Sequence, residues 1–145
     1  MIDQDLIDPK EYDQARAQLG AAFPRILGYF REDGIKSVEQ IEAAMRDRNA
    51  AAMVRPAHTL KGESRQFGSL ALGDMAERIE IAARRCIELR TSPEEIMADV
   101  ADLRACFTRT LTMLEDQQHG PVLATPGGVF GRKAVPSSLL GLSRD

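Results

Sequence analysis

The stretch AAAMVRPAHTLKGESRQFG, residues 50–68, decides the fold class because a helical repeat runs through it. Its small and apolar side chains recur every three or four residues, which places them on one face of a helix that packs in a bundle. They are Met53, Ala57, Leu60, Ser64 and Phe67. Gly68 follows and suits the left-handed residue that commonly ends a helix. We therefore predict a helix over about residues 50–67.

The same apolar spacing predicts four more helices, over about residues 9–19, 22–47, 70–90 and 92–118. Asp8 before Pro9 is a typical helix start. Ser92-Pro93-Glu94-Glu95 has the pattern of a capping box, in which serine and glutamate bond each other's backbone. The expected core side chains are Tyr12, Ala15, Leu19, Phe23, Leu27, Phe30, Val38, Ile41, Met45, Leu72, Met75, Ile79, Ala83, Cys86, Ile96, Val100, Leu103, Phe107, Leu111 and Leu114.

The connections between the four long segments are short, which favours antiparallel neighbours. The predicted fold is therefore all-α, an antiparallel four-helix bundle with a short extra N-terminal helix. The bundle domain covers residues 1–118. Residues 119–145 are rich in glycine and proline and are predicted to form an irregular tail. Apolar pairs such as Val129-Phe130 leave open that the tail carries a short docking motif.

Composition narrows the function classes. The formal net charge is −3 and the pI is near 5.5, which disfavours a nucleic-acid binder. Cys86 and Cys106 form no metal or redox motif. The acidic N-terminus does not resemble a signal peptide, and no apolar run is long enough to cross a bilayer. We expect a cytoplasmic, bacterial protein that is a monomer.

A second pattern in residues 50–68 concerns chemistry. His58, Lys61, Gly62 and Arg65 follow at i, i+3, i+4 and i+7, so they share a helix face that is not the core face. A glycine inside a helix costs about 1 kcal/mol relative to alanine, which suggests that another molecule approaches closely there. A neutral imidazole can attack phosphorus, and a lysine one turn away can neutralise phosphoryl oxygens.

These residues resemble the histidine phosphotransfer (HPt) domain of multistep phosphorelays. The similarity rests on His58, Leu60, Lys61, Gly62, Ser64, Phe67, Gly68, Leu72, Met75, Ile79 and Glu80, and the helical layout matches from about residue 9 to 117.

The resemblance implies that His58 accepts a phosphoryl group at Nε2 from a receiver-domain aspartate or a partner kinase, and passes it to another response-regulator receiver. It implies that Lys61 stabilises the phosphoryl group, that Gly62 gives the partner clearance and that Glu80 orients the ring. We also expect Arg55, Arg65 and Gln66 to help dock the receiver. The expected partners are response-regulator receivers and hybrid sensor histidine kinases, with no nucleic acid and no membrane.

No nucleotide-binding loop and no cluster of metal ligands is visible, so we expect a carrier that is not an enzyme. It should hold no cofactor and no metal, and magnesium should come with the receiver.

Several alternatives stay open at this point. Glu80 could simply pair with Arg84 at i+4. The chain could be a bundle scaffold or inhibitor that binds a receiver or sensor kinase, or a phosphoacceptor domain like that of a chemotaxis kinase. Pro56 removes a helical hydrogen bond just before His58, so we expect a kink or an opened turn near residues 52–56.

Overall fold

The computed structural model of the chain describes residues 3–118, and within them every regular element is helical. The elements are α1 (Pro9–Leu19), a 3₁₀ turn (Gly20–Ala22), α2 (Phe23–Arg46), α3 (Ala50–Gln66), α4 (Leu70–Leu89), a second 3₁₀ turn (Pro93–Ile96) and α5 (Met97–Gln118). The four long helices, α2 to α5, pack against one another as a helical bundle. The predicted tail over 119–145 lies outside the described residues.

The predicted helix starts and ends are mostly confirmed. The Asp8 side chain accepts a hydrogen bond of 3.0 Å from the Lys10 amide, and α1 begins at Pro9. Gly68 has φ +74°, the left-handed conformation expected after α3. Its carbonyl accepts a hydrogen bond of 2.8 Å from the Asp8 amide, so the turn after α3 is tied to the start of α1. A Cβ at Gly68 would lie 3.0 Å from the Tyr12 backbone nitrogen, so this contact also favours glycine.

The capping box predicted at Ser92 is wrong. The Ser92 side chain makes no capping hydrogen bond, residues 93–96 form a 3₁₀ turn, and α5 begins at Met97. The reason lies in the glutamate that would complete the box. Glu95 bonds Arg85 of α4 at 2.8 Å, so its carboxylate is used in an ion pair between elements.

The core follows the predicted stripes closely. Of the predicted core residues only Leu19 and Met75 are partly exposed. Neighbouring aromatic rings of α1, α2, α5 and the end of α3 lie with their centroids 5.4–5.7 Å apart. Gly34 of α2 is buried against the Phe107 ring of α5, where a Cβ would overlap the ring. The bundle therefore depends on glycine at this crossing.

The opened turn expected near Pro56 is not found. α3 continues without interruption from Ala50 to Gln66, and Pro56 is buried within it. A proline at this position removes the hydrogen bond to the carbonyl of Ala52. Ala52 is an exposed residue in the first turn of α3.

The two cysteines are free, with Cys86 buried and Cys106 partly exposed. Among the helices of residues 3–118, none is both long and apolar enough to cross a membrane.

Candidate functional site

The site is built on the contact between α3 and α4. His58 lies midway along α3, and 62% of its side chain is exposed. Its Nδ1 lies 3.0 Å from Oε2 of Glu80, which projects from α4. The Glu80 side chain is only 6% exposed, so a buried carboxylate lies behind an exposed imidazole.

Two cations also bind Glu80. Lys61 Nζ lies 2.8 Å from Oε1. The Arg84 guanidinium donates to Oε2 from Nη2 at 3.0 Å and from Nε at 3.3 Å. Glu80 therefore contacts both residues that the sequence offered as its partners, because Oε2 accepts from both His58 and Arg84.

These contacts decide the charge of Glu80. Burial is the largest single influence and by itself would raise the pKa of the carboxyl. The hydrogen bonds from Lys61, Arg84 and His58 act in the opposite direction and prevail, so the pKa falls from 4.5 to about 2. Glu80 is therefore an anion throughout the neutral range.

An anionic Glu80 fixes the tautomer of His58. A carboxylate can only accept, so Nδ1 must carry the proton and donate it. The lone pair then lies on Nε2, which has no hydrogen-bond partner within residues 3–118. Nε2 therefore lies on an exposed ring that is hydrogen-bonded through its other nitrogen to a buried carboxylate.

Gly62 lies one turn beyond His58 on the exposed face. A Cβ built there meets no atom within 4 Å, so no internal contact requires glycine. The cost of glycine in the helix is therefore not offset by packing, in contrast to Gly34. Gly28 of α2 is equally open, so the clearance role of Gly62 stays a prediction.

Arg65 is placed differently from the prediction. Its Nη2 bonds Asp74 at 3.0 Å and Glu77 at 2.6 Å, both on α4. The side chain lies over Gly73, where a Cβ would be 2.9 Å from Arg65 Cγ. The charge of Arg65 is thus largely used within the bundle, although its docking role stays a prediction.

Arg55 and Gln66 are exposed on α3, and Arg55 forms no ion pair with the part of the chain that is described. Their docking roles also stay predictions. No group of three or more histidine, cysteine, aspartate or glutamate side chains within residues 3–118 could hold a metal ion.

The sequence did not reveal the ion pair between Lys61 and Glu80, because spacing rules connect residues within one helix and this pair joins two helices. The i+4 spacing of Glu80 and Arg84 was a usable signal for the third partner. It gave no indication that His58 shares the same carboxylate oxygen.

The family model described as Hpt domain matches residues 25–117, more than half of the chain. The chain matches no curated protein and no solved structure. The matched range contains α3 and α4 in full and therefore the whole arrangement around His58 and Glu80.

Proposed function

Because this chain belongs to the Hpt domain family, whose members carry phosphoryl groups on histidine in phosphorelays, we propose that it is a phosphorelay intermediate that works through His58. It takes a phosphoryl group from a receiver aspartate or a partner kinase and gives it to another response-regulator receiver. The observation that carries the proposal is the exposed His58 ring whose Nδ1 is bound to buried Glu80, which leaves Nε2 as the nucleophile.

The transfer step balances without a further reagent. Nε2 attacks the phosphorus of the aspartyl phosphate, and an N–P bond forms as the P–O bond to the aspartate breaks. The electron pair of that bond stays on the leaving carboxylate. The ring keeps its Nδ1 proton, and the positive charge that develops on it faces the Glu80 anion. Transfer to the next receiver is the reverse step.

Lys61 has a second function in this proposal. Its ammonium group, 2.8 Å from Glu80 in the unphosphorylated protein, lies one helical turn from His58. A lysine is a point charge on a flexible stem, so it can turn from the carboxylate to a phosphoryl oxygen. Arg84 still pairs with Glu80 after that movement, which keeps the buried carboxylate compensated.

The chain itself would supply position and charge, which is most of what phosphoryl transfer requires. Magnesium would be bound by the receiver, and the chain would need no cofactor and no ATP site. We further propose that the carrier is a monomer and that it is cytoplasmic; the two free cysteines support the second of these. We also propose an antiparallel order of the helices, which the pairs Arg31–Glu115 and Glu42–Arg104 support.

The test is transfer from a receiver domain phosphorylated with labelled acetyl phosphate. We expect a base-stable, acid-labile phosphoprotein with the wild-type chain and none with His58→Gln. His58 is exposed, so the variant should keep the wild-type helical circular dichroism. Equal labelling of the variant would refute the role of His58. Labelling by ATP alone would refute the absence of kinase activity, and no labelling by any receiver or kinase of the same genome would favour a scaffold.

A further inference from the structure

Charge is distributed unevenly along the two helices that carry the site. The contacts Arg65–Asp74 and His58–Glu80 show that the start of α3 lies beside the end of α4. On the Arg65 side of His58, the carboxylates of Asp74 and Glu77 surround one arginine.

On the other side of His58, the exposed charges are positive. Arg55 precedes His58 by three residues on the exposed face of α3 and forms no ion pair within residues 3–118. Arg84 follows Glu80 by one turn, and 60% of its side chain is exposed. A guanidinium has five donors, so Arg84 keeps donors free after its two bonds to Glu80.

An exposed apolar side chain lies next to the arginines on this side of His58. Ile87 is 47% exposed. Glu80, Arg84 and Ile87 follow at i, i+4 and i+7, so they share the face of α4 that carries the site. At 1.5 Å per residue, Ile87 lies about 10 Å along α4 from Glu80. A protein interface covers about 800 Å² on each partner, a circle of roughly 16 Å radius, so a protein centred on His58 reaches Ile87.

The proposed partner has the complementary chemistry. A receiver presents an aspartyl phosphate in an acidic site that binds a divalent cation. Its acidic rim is repelled by Asp74 and Glu77 and attracted by Arg55 and Arg84. An apolar surface beside that rim would cover Ile87 and remove it from water.

We propose that the receiver docks asymmetrically, over an arginine–isoleucine patch formed by Arg55, Arg84 and Ile87 on the α4 side of His58. The patch rests on the proposed function and adds to it the part of the surface that selects and orients the receiver. In this arrangement Arg65 and its carboxylates lie at the edge of the contact.

The test compares Ile87→Ser with Leu89→Ser. Both residues are exposed near the end of α4, but Leu89 lies on the opposite side of the helix from Glu80. The chain is phosphorylated with phosphoramidate, and transfer is measured to purified receiver domains from its own genome. For the receiver that is phosphorylated fastest, we expect Ile87→Ser to raise KM about tenfold with kcat unchanged. Leu89→Ser should leave both values unchanged.

A second pair tests the charge. Arg55→Gln should raise KM and weaken its dependence on salt, whereas Arg25→Gln, an exposed arginine of α2, should do neither. Equal KM values for Ile87→Ser and Leu89→Ser would overturn the patch. So would a wild-type dimer in sedimentation that Ile87→Ser dissociates, since a second copy of this chain would then cover Ile87.

The two proposals fail in different ways. If transfer from wild-type phospho-His58 proceeds and the Ile87 and Leu89 variants behave alike, only the patch is wrong. If phosphoramidate labels the chain but no receiver accepts the phosphoryl group, the proposed function is wrong and the patch with it. Phosphoramidate is too small to contact the patch, so its rate of labelling should be equal in all four variants.

Discussion

Replacement of Glu80 by glutamine should change both the stability of the bundle and its dependence on pH. The pKa of Glu80 is about 2 in the folded protein against an ordinary value of 4.5. Between these values the unfolded chain binds more protons than the folded one, so stability rises with pH. The contribution is complete above about pH 5 and is lost as the pH falls toward 2.

The magnitude follows from the size of the shift. One pKa unit corresponds to about 1.4 kcal/mol, so ionised Glu80 contributes about 3 kcal/mol at pH 7. At pH 3 the same two pKa values reduce the contribution of Glu80 to the free energy of unfolding to about 1 kcal/mol. Glu80→Gln does not titrate and leaves the Lys61 ammonium, which is 21% exposed, without its anion. We therefore expect the variant to be less stable than wild type by about 3 kcal/mol at pH 7 and by about 1 kcal/mol at pH 3.

Urea unfolding followed by circular dichroism at pH 7, 5, 4 and 3 measures this difference directly. The matched control is Glu88→Gln, since Glu88 is an exposed residue of α4 without an ion pair in residues 3–118. It should change stability by less than about 0.5 kcal/mol at every pH. A Glu80→Gln deficit that stays constant from pH 7 to pH 3 would refute the charge network as the source of the effect.

Three further substitutions test the open position at Gly62, the α2–α5 crossing at Gly34 and the carboxyl of Glu63. Gly62→Ala should stabilise the protein by about 0.5–1 kcal/mol in urea unfolding and should slow transfer to the receiver. Gly28→Ala, at an equally open position in α2, should stabilise the protein without slowing transfer. If both variants transferred at the same rate, the clearance role of Gly62 would be contradicted. Gly34→Ala should destabilise by about 1–3 kcal/mol because its methyl group overlaps Phe107, and an unchanged melting temperature would contradict that packing. Glu63 has a pKa raised from 4.5 to about 7 by burial and by the neighbouring Asp33 carboxylate, so its ionisation reduces stability as the pH rises from 4.5 through 7. Glu63→Gln should therefore stabilise by about 3 kcal/mol at pH 8 and by about 1 kcal/mol at pH 5, and a gain that is equal at both values would contradict the shift.

The sequence predicted those features that depend on one helix at a time. The three-to-four spacing gave the helix bounds to within two residues except at the start of α5, and almost all of the core. It could do so because burial of an apolar face repeats with the helical period whatever the partner helix is. The exception, at Ser92, arose because the Glu95 side chain has two competing hydrogen-bond partners. Glu95 could bond its own helix start or Arg85 on another helix, and the local pattern contains no information about Arg85.

The same limit applies to the site. The shared face of His58, Lys61 and Gly62 follows from spacing, and the resemblance supplied Glu80. The partners of each charge do not follow, because Lys61, Arg65 and His58 all bond residues of α4. The packing of α3 against α4 decides whether Arg55 or Arg65 keeps its charge free of an ion pair within residues 3–118. That packing depends on the core and on Gly73, which leaves room for the Arg65 side chain, and the spacing within α3 carries no information about either.

The arrangement of charge explains why an Hpt domain can be reactive toward a partner and yet remain a stable bundle. Among the described residues 3–118, the one anion in contact with His58 is buried, so under the proposed function an incoming aspartyl phosphate would not meet it at the surface. Glu80 nevertheless accepts a hydrogen bond from Nδ1, and under the proposed function it would compensate the charge that develops on the ring when Nε2 binds phosphorus. If the anion were exposed, it would repel the phosphoryl group; if it were absent, Lys61 would be a poorly solvated cation without a partner. Burial with two cations satisfies both conditions, and under the proposed function the second cation, Arg84, would allow Lys61 to leave Glu80 during transfer.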